Sequence, residues 1–529
     1  MKVDRRKFGQ ISALTLGGGI LSAQDSSQRS YRLAKQPNVV FICSDQHSGR
    51  MLMGGPGEEI PVSTPNLRRM ASAGVWFKNA YTVSPVCVPG RAALMTGRYS
   101  SDVGSYCNST VFDGRVPTWG NYLRQNGYQC LATGKLDLTA EADMGFEQVK
   151  TSHEHFRNPD ITSLFRRPLC FRVDERILVD GEVGEPNQHD LDITQFGVDF
   201  IRNKAPGLGK PWALYLGMTT PHPKFTVPKQ YMDAYPSYAV QLPNIPPGYL
   251  ENQHLVFQAM RNHKLISTPI PEERIRRARS AYYGLVTALD ENVGRILDEI
   301  ERTGRLSDTL VVYTSDHGEM LGAHGLWLKN VLLEGAARVP LLLAGAGLPK
   351  GKLVDAPVSH VDLVATVLDM AGIQRPKGLR GHSLLPLAHG DPTNDFQHVY
   401  AESHSEGNCT GSFMIRKGEW KYIYFSGYGD NLLFDLSKDP EELNNLFGKE
   451  KFRAIERDLH DILTSLVDPD PITERAFEVQ EQFLARMVRD LPPEKFFDRL
   501  AGRLGLGQAL MLTKKYYPKQ NVKTEEMPV

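Results

Sequence analysis

The chain has 529 residues, of which 41% are hydrophobic and 23% charged, and its formal net charge is zero. This length and composition predict a globular protein with one large and one smaller folding unit. The balanced charge argues against nucleic-acid binding, which needs an excess of Lys and Arg, and no apolar run in the mature chain is long enough to span a bilayer.

The first 24 residues have the order of regions found in an export signal. Arg5 and Arg6 form a twin-arginine pair, a mildly apolar stretch runs from Ile11 to Leu21, and Ala23 lies at a plausible cleavage site. This order predicts a signal at residues 1–24 that is read by the twin-arginine export machinery. We therefore expect a periplasmic or secreted protein.

Short apolar runs with helical patterns between them follow the signal. The runs lie at residues 38–43, 128–132, 212–216, 309–313 and 339–343, and each is typical of a fully buried parallel strand. The helical patterns cover residues 64–74, capped by Thr64, and residues 272–302 and 360–371. The alternation predicts an α/β fold with a large, doubly wound, mostly parallel sheet flanked by helices.

The pattern changes near residue 398. Runs at 412–416, 420–424 and 431–435 alternate between apolar and polar residues and are separated by turns. They predict a smaller antiparallel-sheet subdomain over residues 398–448. Residues 449–529 are expected to form a helical C-terminal extension, which leaves residues 25–397 for the large α/β domain.

Polar side chains follow four of the predicted strands. They are Asp45 and Gln46, Lys135, His222, and Asp316 and His317. Because ligands of doubly wound sheets bind beyond the carboxyl ends of the strands, we expect these side chains to converge on one site.

Cys87 lies where a loop is predicted to enter a helix. Pro89 fits the first helical turn, so Cys87 would be close to free backbone N–H groups and the positive end of the helix dipole. Such a position lowers the pKa of a thiol or holds an oxyanion. Arg91, about one turn further on, is expected to reach back to residue 87. A buried structural cysteine beside a helix start is the alternative at this level.

Four ordered motifs resemble those of the type I sulfatases of the alkaline phosphatase superfamily. The resemblance covers about residues 37–447. The motifs are Thr64-Pro65-Asn66-Leu67 with Asn79-Ala80-Tyr81 and Cys87-Val88-Pro89-Gly90-Arg91, Gly127-Tyr128 to Gly134-Lys135, Ser315-Asp316-His317-Gly318 to Lys329, and Leu433-Phe434-Asp435 to Leu446.

The resemblance implies a modified nucleophile and a metal ion. In the family a maturation enzyme oxidises the motif cysteine, here Cys87, to formylglycine, whose hydrated aldehyde attacks sulfur and later expels sulfate. The family usually binds Ca²⁺, and the matching ligands are Asp45, Gln46, Asp316 and His317. The histidine, which stands where many sulfatases have Asn, leaves Mn²⁺ or another divalent ion open. The implied substrate is a sulfated small molecule or polysaccharide.

The resemblance also implies roles for five further residues. Arg91, Lys135 and Lys329 match positions that hold the nucleophile or the sulfate oxygens. His222 matches a histidine near the leaving oxygen, where an imidazole suits proton donation. Asn108 has the spacing of a sulfate-binding asparagine.

Two residues depart from the family pattern. Gly90 replaces the usual Ser or Ala, which loosens the helix start and bears on recognition by the maturation enzyme. Asp137 replaces the histidine of the Gly-Lys-x-His motif, which helps place the nucleophile or sulfate. An ionised carboxylate cannot donate a hydrogen bond, so Asp137 is expected to pair with Lys135 or with a basic substrate group.

Other functions remain open at this stage. His317 favours a phosphonate or phosphate ester hydrolase of the same superfamily, whereas Gly90 and Asp137 suit a catalytically impaired, sulfatase-like binding protein. The Cys87 thiolate would suit a cysteine hydrolase if a histidine base lay nearby.

Three further expectations concern surfaces and disulfides. The arginines between residues 165 and 173 and the loop 402–406 are expected to be solvated surface, and the alternative is that they line the opening of the site. Cys107, Cys130, Cys170 and Cys409 leave room for one or two disulfides in an exported protein.

Overall fold

The computed structural model describes residues 35–52 and 62–518. The predicted signal at residues 1–24 and the last eleven positions of the predicted extension, 519–529, lie outside the described residues. Within the described part of the chain, no helix has the length and apolar character needed to cross a membrane.

Most of the strands belong to one large sheet and one small sheet. In chain order the strands are β1 Asn38–Asp45, β2 Gly74–Phe77, β3 Ala80–Tyr81, β4 Gln129–Lys135, β5 Glu147–Ser152, β6 Gly181–Val183, β7 Trp212–Pro221, β8 Phe225–Val227, β9 Thr309–Ser315, β10 Arg338–Val339, β11 Leu341–Gly345, β12 Lys352–Val354, β13 Val358–Ser359, β14 Val399–Ser403, β15 Ser412–Lys417, β16 Trp420–Phe425 and β17 Leu432–Asp435.

The large sheet has eight strands in the order β12-β2-β11-β9-β1-β7-β4-β5. The run from β9 to β5 is parallel throughout, which confirms the predicted mostly parallel sheet. The apolar run 339–343 is not one parallel strand as expected. Pro340 cannot donate to a ladder and separates β10 from β11, and β11 is antiparallel to both of its neighbours.

The α-helices lie on both faces of the large sheet and in the C-terminal part of the chain. They are α1 Pro65–Ala73, α2 Cys87–Thr96, α3 Trp119–Gln125, α4 Glu154–Arg157, α5 Val173–Ile177, α6 Gln188–Asp199, α7 Lys229–Ala234, α8 Leu255–His263, α9 Glu272–Arg302, α10 Glu334–Ala337, α11 His360–Met370, α12 Leu385–His389, α13 Arg453–Leu466, α14 Pro469–Asp490, α15 Pro493–Leu504 and α16 Leu506–Tyr516.

The two covered faces explain why the central strands are continuous apolar runs. On one face α1, α6 and α9 contribute Leu67, Ile193 and Val293 to a single apolar cluster with the strands. On the other face Phe41 of β1 stacks on Trp119 of α3, with ring centroids 5.5 Å apart. A strand buried on both faces has no polar side to alternate with.

The C-terminal part has the secondary structure that its sequence predicts. Strands β14 to β17 form a four-stranded antiparallel sheet, which α13 covers through Leu459 and Leu463. Helices α14 to α16 form a separate apolar cluster with residues 161–170 of the large domain. The proposed domain boundaries stay a prediction. All six cysteines are free, so the expected disulfides are wrong.

The cap of α1 comes from a distant helix. Thr64 Oγ1 donates to Leu52 O at 2.6 Å and accepts no helix N–H, so the predicted cap is wrong. Asp290 of α9 instead accepts from Asn66 N at 2.9 Å and from Leu67 N at 2.8 Å. Its carboxylate satisfies two free N–H groups at the positive end of the helix dipole.

Gly90 allows the start of α2 to approach the loop that follows β9. A Cβ at this position would lie 2.8 Å from Ser84 O and 3.0 Å from Asp316 O. Both neighbours are backbone oxygens, which cannot rotate away. Glycine at the fourth motif position is therefore explained by close backbone packing.

We expect Gly90→Ala to lower the free energy of unfolding by about 1–3 kcal/mol, because the added methyl group overlaps backbone atoms. Urea unfolding followed by tryptophan fluorescence measures the change. Gly207→Ala is the matched control, since a Cβ there meets nothing within 4 Å. Equal stability of the two variants would contradict this packing argument.

Candidate active site

The predicted polar residues converge at the carboxyl ends of the central strands. Asp45 ends β1, Lys135 ends β4 and Asp316 follows β9. These strands lie within the parallel run of the large sheet, so their carboxyl ends share one edge. The start of α2 brings Cys87 to the same edge.

Cys87 is the first residue of α2 and is fully buried. Its Sγ lies 3.1 Å from Lys329 Nζ and 3.3 Å from His317 Nε2. Burial and the Asp45 carboxylate raise the pKa of the thiol. The positive charges of Lys135, Lys329 and His317 outweigh both and hold that pKa well below its ordinary value. Residue 87 therefore occupies a site that favours negative charge.

Arg91 is buried and connects the strand ends. Its Nε donates to Asp316 Oδ2 at 2.9 Å, and its Nη1 donates to Lys135 O at 2.8 Å and Tyr215 Oη at 2.9 Å. Its Nη2 is 3.5 Å from Asp45 Oδ2. These atoms are the partners of Arg91 among the described residues. Arg91 therefore holds the two carboxylates in position and makes no hydrogen bond to residue 87.

Four side chains could share a cation. Asp45, Cys87, Asp316 and His317 offer ligand atoms that all lie within 4.8 Å of one another. His317 Nδ1 bonds Gly318 O at 3.0 Å, which leaves the Nε2 lone pair for the cluster. That Nε2 is 3.6 Å from Asp45 Oδ1 and from Asp316 Oδ1.

One atom of this cluster lacks a partner. Asp45 Oδ1 is buried and accepts no hydrogen bond from any described residue. An unpaired buried carboxylate oxygen is costly, and a divalent cation between two carboxylates and an imidazole would satisfy it. The residues therefore fit a metal ion.

Gln46, the remaining expected ligand, lies beside this cluster. Its Oε1 accepts from Lys329 Nζ at 2.9 Å and its Nε2 donates to the Glu319 carboxylate. Burial raises the pKa of Glu319. Its carboxylate also accepts hydrogen bonds from two backbone N–H groups. The predicted residues do not include Glu319, although it directly follows the Ser-Asp-His-Gly motif.

Asp137 pairs with two positive groups. Its Oδ2 lies 3.3 Å from Lys135 Nζ, as one sequence-based alternative expected, and 2.9 Å from His155 Nδ1. Lys135 Nζ also contacts the Asp45 carboxylate. His155 is absent from the predicted site residues. The signal that points to it is its place just after β5, the next parallel strand of the sheet.

Asn108 and His222 lie on the wall of a cavity in front of the strand ends. Asn108 Oδ1 accepts from Val88 N at 3.2 Å and so satisfies one N–H group at the start of α2. His222 Nδ1 bonds Pro223 O at 2.7 Å, which leaves Nε2 as the nitrogen available to a ligand.

The cavity has a volume of about 560 Å³ and mostly polar walls. Arg172 and Glu406, expected to be solvated surface, are buried and line it. Arg166 also differs from the expectation, because it is buried and packs 4.3 Å over the Phe477 ring. Both differences arise because the C-terminal helices cover these segments.

The C-terminal extension contributes to the cavity wall. Arg503 of α15 lines the cavity and donates to Asp160 Oδ2 at 2.7 Å. Arg172 Nη1 donates to the same oxygen at 3.0 Å. Glu406 faces this group of charges, and its Oε2 is buried without a hydrogen-bond partner among the described residues.

Known proteins resemble this chain over most of its length. The family model described as Sulfatase matches residues 37–373, and the model for the C-terminal part of N-sulphoglucosamine sulphohydrolase matches residues 322–468. Arylsulfatase K of Danio rerio is 32% identical over 476 residues, which cover 84% of this chain and 87% of that protein. The choline-sulfatase of Rhizobium meliloti (strain 1021) is 33% identical over 429 residues, covering 78% and 82%.

A solved structure agrees with the fold. The phosphonate monoester hydrolase of Silicibacter pomeroyi superposes with a TM-score of 0.66 at 26% identity, over 82% of this chain and 94% of that one. The family-model match and the curated relatives place the chain more narrowly within the superfamily. The chain belongs to the sulfatase family of the alkaline phosphatase superfamily and is a sulfuric ester hydrolase.

Proposed function

We propose that this protein removes sulfate from a sulfated carbohydrate, using formylglycine formed from Cys87 and a divalent cation held by Asp45, Asp316 and His317. The observation that carries the proposal is the contact of Cys87 Sγ with both Lys329 and His317 beside the unpaired Asp45 oxygen. The mostly polar cavity walls suit a hydroxylated alcohol portion.

The two absent groups would supply the nucleophile and a Lewis acid. Formylglycine at residue 87 would provide a hydrated aldehyde with one hydroxyl for attack and one for release of sulfate. The cation would polarise a sulfate oxygen. Oxygen ligands suit Ca²⁺, whereas the His317 nitrogen leaves Mn²⁺ or another divalent ion open. Gln46 supports this centre through Lys329.

The side chains of the site would bind and stabilise the sulfate. Lys329 Nζ and Lys135 Nζ place positive charge beside residue 87, where negative charge grows during transfer. Arg91 holds Asp45 and Asp316 in position, and its charge opposes the rise that burial causes in the pKa of Asp316. Asn108 holds the start of α2 through Val88 N, and the positive end of the helix dipole lies beside residue 87.

His222 would serve the leaving group. The Nδ1 bond to Pro223 O fixes the ring, and in the imidazolium form Nε2 would donate its proton to the departing alcohol oxygen.

We also propose that residues 1–24 direct export through the twin-arginine pathway to the periplasm or beyond. This pathway moves folded proteins, so the maturation enzyme could modify Cys87 before transport. Fractionation of the native host is the direct check.

The modification is tested at residue 87. In protein made in its native host, we expect mass spectrometry to find an aldehyde in place of the Cys87 thiol. Cys87→Ser is expected to lower kcat for para-nitrophenyl sulfate by at least about 10³-fold, because the second hydroxyl is lost. Cys409→Ser, a change in the C-terminal part, is the control and should keep wild-type kcat. A free thiol in fully active protein would support a cysteine hydrolase instead.

Metal binding is tested by melting temperature as well as by activity. EDTA should abolish hydrolysis, and Ca²⁺ or Mn²⁺ should restore it. Saturating metal is expected to stabilise the apoprotein by about 2–4 kcal/mol, and Asp45→Asn should remove most of that gain because the unpaired oxygen loses its charge. The exposed Asp143→Asn variant should keep the gain. An unchanged metal response in Asp45→Asn would contradict the proposed ligand set.

A phosphonate ester hydrolase is the second candidate. It is favoured by His317 in the ligand set and by the similarity to the Silicibacter enzyme. We expect kcat/KM for para-nitrophenyl sulfate to exceed that for para-nitrophenyl phenylphosphonate by at least about tenfold, since the site would stabilise the sulfate transition state better. A preference for the phosphonate would overturn the proposed substrate class.

A further inference from the structure

The cavity contains an imidazole that lies outside the family motif. The motif position after Gly134-Lys135-Leu136 carries Asp137, a residue that cannot donate a hydrogen bond while ionised. His155 of α4 lies beside Asp137 and lines the same cavity. The two residues are separated by the whole of β5 and the segment before it, so their contact is a product of the fold.

The pairing of β4 with β5 fixes this contact. Lys135 is opposite Ser152 in the parallel register, and Asp137 N donates to Ser152 O at 3.3 Å. Just beyond, the buried His153 bonds Leu138 O through Nδ1 at 2.8 Å. Hydrogen bonds on both sides of Asp137 thus hold together the segments that follow β4 and β5. They place His155 beside the Asp137 carboxylate.

The hydrogen bonds orient the His155 ring. Nδ1 bonds Asp137 Oδ2 at 2.9 Å, and the backbone N of His155 approaches Asp137 Oδ1 at 3.4 Å. Asp137 is fully buried, whereas the His155 side chain is 16% exposed. Nδ1 therefore carries a proton, and Nε2, which has no hydrogen-bond partner among the described residues, is left for a ligand.

The surrounding charges favour the imidazolium. Burial lowers the pKa of His155, but the Asp137 carboxylate raises it more, so the net shift is upward. Lys135 opposes this shift and an ionised Cys87 adds to it. His155 in turn helps to lower the pKa of Asp160 on the cavity wall. A positive ring in an anion-binding cavity attracts sulfate.

We propose that His155, oriented by Asp137, donates a hydrogen bond from Nε2 to an oxygen of the bound sulfate group and so replaces the imidazole that the Gly134-Lys135-Leu136-Asp137 segment lacks. The inference rests on the proposed function. Asp137 is the positioning residue, since it acts through the ring. The pair also explains how a carboxylate can stand at a motif position that ordinarily faces an anion.

Kinetics of the mature, metal-loaded protein with para-nitrophenyl sulfate test the pair. His155→Ala is expected to lower kcat/KM by about 10- to 100-fold, the effect of one charged hydrogen bond. His155→Gln, which keeps an N–H near the position of Nε2, should recover at least about threefold of that loss. His189→Ala is the control, because His189 is exposed and does not line the cavity.

A double-variant cycle and a pH profile separate positioning from a general structural effect. Asp137→Asn should lower kcat/KM by about 5- to 10-fold alone but by less than about twofold in the His155→Ala background, because it acts through the ring. The carboxylate raises the pKa of His155, so Asp137→Asn should move the alkaline limb of the profile to lower pH. NMR titration of the ring should show the same direction.

Binding of inorganic sulfate, measured by calorimetry, keeps this inference separate from the proposed function. His155→Ala should weaken sulfate binding about tenfold, while His189→Ala should not change it. If that dependence is found but the wild type hydrolyses no sulfate ester, the proposed function fails and the inference stands.

Three results would overturn the inference itself. They are sulfate binding that is unaffected in folded His155→Ala protein, fully additive losses in the double variant, and an unchanged pH profile in Asp137→Asn. If His155→Ala does not fold, the pH profile and the NMR titration of Asp137→Asn still test the inference, since this variant preserves side-chain volume.

Discussion

The buried guanidinium of Arg91 joins the ends of the central strands to the start of α2. It contacts the carboxylates at the ends of β1 and β9, the Lys135 carbonyl at the end of β4 and the Tyr215 hydroxyl of β7. A charge in this position is costly unless it is paired and hydrogen-bonded. Loss of the guanidinium would leave two buried carboxylates facing each other, so the arrangement of the strand ends depends on it.

Pairing in this region is extensive but incomplete, and the gaps indicate where a ligand would bind. Arg91 and Lys135 neutralise one oxygen of Asp45, while the other oxygen accepts no hydrogen bond from the described residues. Lys329 and His317 both approach Cys87 rather than a carboxylate oxygen at hydrogen-bond distance. A cation at the unpaired oxygen and an anion at residue 87 would balance the charges together. The electrostatics thus suit a cation at one position and an anion at the other.

The sequence predicts the strands and the polar residues that converge at their ends better than the residues that support them. Continuous apolar runs identify buried strands, and short motifs after them identify Asp45, Cys87 and Asp316. Burial on both faces favours parallel strands but does not determine the direction of any one strand, so the antiparallel direction of β11 is not predictable from its apolar run. Supporting contacts such as Asp290 with α1, or His155 with Asp137, join segments distant in the chain or carried by different elements. Tertiary packing determines such contacts, and local sequence patterns carry no information about it.

Part of the cavity wall comes from the C-terminal helices, whereas Asp45, Lys135 and Asp316 come from the ends of the strands. The two family models together end at residue 468, whereas Arg503 lies in α15, and α14 to α16 pack on the segment 161–170 that precedes Arg172. Asp160 accepts from both arginines, so part of this wall is held by residues that the family models do not cover. Beside it, burial together with Asp160 raises the pKa of Glu406. A buried carboxyl with an unpaired oxygen can accept a hydrogen bond from a hydroxyl group of a substrate. The strand ends thus hold the groups suited to sulfate, while the C-terminal helices help to form the surface that the alcohol portion would meet.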